Sequence, residues 1–125
     1  AIWEGSGNVQ ALDLLRAMGK SPKVLDAWFA ELAGAQGRNA VLDAAVNDLR
    51  KELGDSDALA YRARDLVDRM ALTMQAAQLV KAGNEAVSDA FITARLANGH
   101  TRNYGSLPRG VDVDTLVARA NPWNA

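Results

Sequence analysis

Residues 57–82, DALAYRARDLVDRMALTMQAAQLVKA, decide the fold. Leu59, Ala63, Leu66, Val67, Met70, Met74, Ala77 and Leu79 recur at three- and four-residue intervals, the period of one helical face. Asp55 or Ser56 stands ahead of the stripe as a cap, and Gly83 follows it as a stop. On the other side Arg62, Arg64 and Arg69 alternate with Asp65 and Asp68, the pattern of a solvated, salt-bridged face. A helix of this length draws most of its stability from burying its stripe, so it needs other helices to pack on.

The flanking segments supply them. Upstream, Asn8 caps a short helix over about Val9–Met18, with Ala11, Leu12 and Leu15 on one face. Ser21-Pro22 reads as a cap followed by a first-turn proline. Val24, Leu25, Trp28, Phe29 and Leu32 then repeat through a second helix. Trp28 and Phe29 are neighbours, about 100° apart on a helix, so one is expected inward and the other on a partner surface. Leu72 and Ile92 are similar apolar residues off the stripes. Asn39 to Leu53 forms a third helix with Val41, Leu42, Ala45, Val46, Leu49 and Leu53 as its stripe. Downstream, Asn84 caps a fifth helix to about Ala97, with Val87, Ala90, Phe91 and Ala94 inward. Residues 98–110, NGHTRNYGSLPRG, read as a loop, and Asp112 caps a short last helix that Asn121-Pro122 ends. Gly19, Gly37, Gly54, Gly83 and Gly99 each sit where a helix should stop.

The chain is therefore expected to be all-α: an up-down bundle of about five main helices plus a short C-terminal one. Ala occurs 24 times, and runs of Val, Ile and Thr are absent. The 125 residues make one domain, 1–125, with a turn over 1–8, the bundle over 9–97, and loop, short helix and tail over 98–125. Hydrophobic residues are 49% and charged residues 23%, which excludes a disordered chain. A net charge of −1 argues against an obligate polyanion binder. With no cysteine there is no disulfide, thiolate zinc site or cysteine nucleophile. No apolar run approaches the ~20 residues of a membrane span, and Ala1-Ile2-Trp3-Glu4 lacks the features of a signal peptide.

Chemistry concentrates in two places. In Ile2-Trp3-Glu4-Gly5-Ser6-Gly7-Asn8-Val9-Gln10, a Gly-Ser-Gly turn leads into a helix N-terminus, where backbone N–H groups and the helix dipole favour an anion. Glu4 beside apolar Trp3 is a candidate base whose pKa such surroundings would raise. An ordinary helix-capping loop has the same composition. The second place is residues 90–111, where Arg95, His100, Arg102 and Arg109 occur without a single acid, Tyr104 among them. Basic residues with an aromatic between them can meet phosphates and stack on a base. They can equally pair with Asp112, Asp114, helix C-termini or a neighbouring subunit. His100 is the only histidine and no ligand cluster surrounds it, so no metal is expected.

The stretch IWEGSGNVQALDLLRAM resembles the segment of acyl-CoA dehydrogenases where an aromatic-Glu-Gly-Thr/Ser turn enters a helix of the C-terminal helical domain. The Ser-Gly-Asn form and the Leu-Asp-Leu-Leu-Arg run are most similar to the AidB-like branch, which is associated with the adaptive response to DNA alkylation. The tail GHTRNYGSLPRGVDVDTLVARANP resembles that branch's C-terminal extension. The resemblance implies an FAD-dependent flavoprotein that removes hydrogen across the α,β bond of acyl-CoA thioesters. Glu4 matches the base of many members, although some branches carry the base elsewhere. Gly5, Ser6, Gly7, Asn8 and Gln10 match the turn that meets FAD. It also implies a homo-oligomer, dimer or tetramer, built through helical faces, a cytoplasmic location and, for this branch, DNA as a partner through Arg95, Arg102, Tyr104 and Arg109. Since the chain opens inside the motif, it is expected to be a C-terminal fragment without oxidation activity of its own. The alternative is a nucleic-acid-binding or oligomerisation module without significant turnover.

Overall fold

The architecture comes from a computed structural model that describes residues 6–55, 57, 59–97, 105 and 107–124. Six α-helices follow one another: α1 Ser6–Lys20, α2 Pro22–Ala33, α3 Ala40–Gly54, α4 Leu59–Ala82, α5 Glu85–Ile92 and α6 Val113–Ala120. A π-helical turn, Thr93–Ala97, continues α5, and a 3₁₀ turn, Pro122–Asn124, follows α6. Among the described residues there is no strand, as the all-α reading requires.

Local chemistry explains most boundaries. Asn39 caps α3, its side-chain oxygen accepting from the N–H groups of Val41 at 3.0 Å and Leu42 at 3.2 Å. Asn84 caps α5 through Val87 N–H at 3.2 Å. Asp112 caps α6 by accepting from Thr115 N–H at 3.0 Å and from its hydroxyl at 2.6 Å. Gly83 stops α4 in the left-handed region at φ 82, where a side chain would strain the backbone. Gly19 and Gly54 lie inside the last turn of their helices, with α1 ending at Lys20 and α3 at Gly54, so each helix stops within one residue of its glycine. Ser21 caps α2 by position alone, since its side chain makes no capping bond and Pro22 takes the first turn.

Helix α4 is the axis of the molecule, and α1, α3 and α5 all pack on it. One buried cluster joins Leu32, Ala35, Leu42, Ala76, Ala77, Val80 and Ile92; another joins Leu49, Leu53, Leu66 and Met70. Trp28 and Phe29 pack against both clusters. The division of those two rings between core and partner surface is therefore corrected. They meet edge to face at 4.9 Å and 77°, so adjacent residues on α2 fill the space where the clusters join. Arg50 covers Phe29 from outside, 4.2 Å above the ring. Ile92 is likewise core, at 1% exposure, because α5 ends against α4 and turns its last residue inward. Val24 and Val41 move the other way and are exposed. On α4, Ala63, Leu66, Met70 and Ala77 of the expected stripe are buried, and Thr73, Ala76 and Val80 are buried in addition, since the helix has neighbours on more than one side.

Leu66 has no exposed surface and sits at the middle of the second cluster. Leu66→Ala is expected to destabilise the chain by about 2–5 kcal/mol through lost burial and the cavity left behind. Urea unfolding followed by circular dichroism checks this, with an unchanged slope and a lower midpoint expected.

Candidate functional site

The N-terminal motif is more helical than its glycines suggest. Helix α1 begins at Ser6, so Ser6, Gly7 and Asn8 form its first turn and do not precede it. This corrects the helix start at Val9 and the capping role of Asn8. The reason is tertiary: Asn8 Oδ1 accepts a 3.1 Å hydrogen bond from Arg64 on α4, 56 residues away, and so is used across the bundle. Gln10 is exposed on the following turn. Glu4 and Gly5 lie outside the described residues.

Gly7 has a definite steric task. A Cβ at this position would stand 2.6 Å from Cζ of Arg64, so the guanidinium lies flat against the glycine. A helix leaves its first N–H groups without intrahelical partners, and its positive dipole end repels a cation. Arg64 nevertheless rests there. The guanidinium thus stands beside the first turn of a helix, where free N–H groups and the dipole favour an anion over a cation.

Arg62 and Arg69 depart from the solvated face read from the sequence. Both bond Glu52 on α3, Arg62 at 2.8 Å and Arg69 at 2.5 Å, one to each carboxylate oxygen. Arg62 also approaches Asp55 at 3.5 Å. Arg69 approaches Asp65 at 3.5 Å, and this pair follows the spacing expected along the helix. Glu52 thus fastens α3 to two turns of α4. Its carboxyl lies below the usual carboxylate range. The hydrogen bond from Arg69 is the largest cause; partial burial opposes it, and the charges of Arg69 and Arg62 add to the lowering.

The basic segment is spread over separate elements. Arg95 is half-buried in the π-helical turn, and Arg109 is exposed just ahead of α6. Arg102, Tyr104 and His100 lie outside the described residues. Arg109 lines a cleft of about 300 Å³ between α5 and residues 108–112, facing Asp89 and Thr93. Asp112, one of its suggested partners, gives its carboxylate to Thr115, whose hydroxyl and N–H hold it below the usual range. Among the described residues no group of three or more His, Cys, Asp or Glu could hold a metal ion. Among them, too, no helix is long and apolar enough to cross a membrane.

The chain is 28% identical over 117 residues to an Escherichia coli (strain K12) protein named "Putative acyl-CoA dehydrogenase AidB". This chain resembles AidB. The match covers 94% of the chain, so the first turn of α1, the bundle and α6 cannot all lie outside it. It covers 21% of AidB, so the chain spans about a fifth of that relative's length. No model of a known protein family matches the chain, and no solved structure matches it. The resemblance to AidB agrees with the one read from the residues at both ends of the sequence.

Arg64 is the site residue that sequence reasoning missed. Its spacing on α4 suggested a solvated cation, and only the long-range packing of α1 on α4 brings it to Gly7. Gly7→Ala should push the guanidinium off α1 while leaving stability within about 1 kcal/mol, since alanine favours the helix. The Asn8 side-chain amide resonances in NMR spectra are expected to shift as the Arg64 bond is lost. Glu52→Gln tests the ion-pair node. The folded pKa of Glu52 lies below its unfolded value, so its stabilisation is present above the ordinary carboxylate pKa and is lost as pH falls through the folded value. The stability gap between wild type and Glu52→Gln should be full at neutral pH and should close as pH falls below the ordinary carboxylate pKa in paired denaturation curves.

Proposed function

We propose that this chain is the C-terminal helical part of an acyl-CoA dehydrogenase-like flavoprotein, and that the start of α1 lies against FAD in the complete protein. The observation that carries the reading is the match to AidB across 94% of the chain, taken with the first turn of α1. The residues present fit a dinucleotide cofactor. Its pyrophosphate needs N–H donors and a cation at close range, and the first turn of α1 has the Arg64 guanidinium against Gly7. Ser6 adds a hydroxyl at the helix start, while Asn8 holds Arg64 in place.

FAD would supply the two-electron acceptor for oxidation of the thioester. On this reading Gly5, Ser6, Gly7 and Asn8 bind and orient, with Gln10 one turn further along. Glu4, matching the base of many family members, would take the α-proton from the substrate on its carboxylate. Arg64 keeps negative charge close to the helix end. The isolated chain holds too little of the pocket to oxidise an acyl-CoA, and turnover by it alone would sink this part of the proposal. Assembly into a dimer or tetramer through helical faces follows from the same family reading.

The absorbance spectrum of the longer protein, purified without added cofactor and titrated with a panel of acyl-CoAs, tests the reading. A flavin spectrum that bleaches with one of them is expected, and Glu4→Gln should then abolish bleaching while the bound flavin remains. Arg64→Ala should lower flavin occupancy. A bound flavin that no acyl-CoA reduces would favour the second reading, a nucleic-acid-binding module using Arg95, Arg102, Tyr104 and Arg109. That module's affinity would fall steeply with salt. Absence of flavin would overturn the cofactor proposal.

A further inference from the structure

We draw no further inference here: the strongest candidate, the apolar face of α6 left exposed at Val113 and Val117 with Trp123 in the turn after it, carries none, because nothing in the structure shows what covers that face.

Discussion

The burial of α4 is the constraint on which the rest of the structure depends. Leu66, Ala76 and Ala77 have no exposed surface, and helices on several sides cover them. A helix of 24 residues cannot stand on its own propensity in water, and it is held by what packs on it. Its alanines let the neighbours come close, while Trp28 and Phe29 on α2 fill the wider space where the two apolar clusters meet.

Polar bonds then set the register that apolar packing leaves loose. Hydrophobic contact tolerates sliding, but a carboxylate held by two guanidiniums does not. Glu52 receives Arg62 and Arg69, which lie two turns apart on α4. Asn8 receives Arg64 at the other face, and Glu31 on α2 pairs with Lys81 near the end of α4. Such partly exposed pairs add little stability individually. Their value lies in fixing which residues meet: Arg64 is carried to Gly7 because α1 and α4 are aligned at this level. The anion-favouring end of α1 is thus a product of helix alignment as much as of the Gly-Ser-Gly turn.

Much of the fold was legible in the residues. The caps Asn84 and Asp112 act where the spacing placed them, because a capping bond is made within three residues and needs no distant partner. The stripe of α4 was legible for a similar reason, since periodicity is local. The candidate site was legible in kind, as a small-residue turn at a helix start that resembles a family motif. Its limits were not. Asn8 reads equally well as a cap or as a helical residue, and Arg64 decides between them from 56 residues away. The π-helical turn at Thr93–Ala97 carries no sequence mark of its own. It arises where α5 continues alongside α3 and α4.

By itself, then, the sequence determined that this chain is helical, where most helices begin, which broad faces turn inward and which family it resembles. All of these rest on short-range patterns that survive without knowledge of neighbours. Tertiary structure alone decided that Trp28 and Phe29 both face the core, that three arginines on α4 reach other helices, and that Thr73 is fully buried with its hydroxyl unpaired. These outcomes depend on which side chain stands opposite, and that is set when helices distant in sequence dock, by the summed burial and charge pairing of the whole bundle.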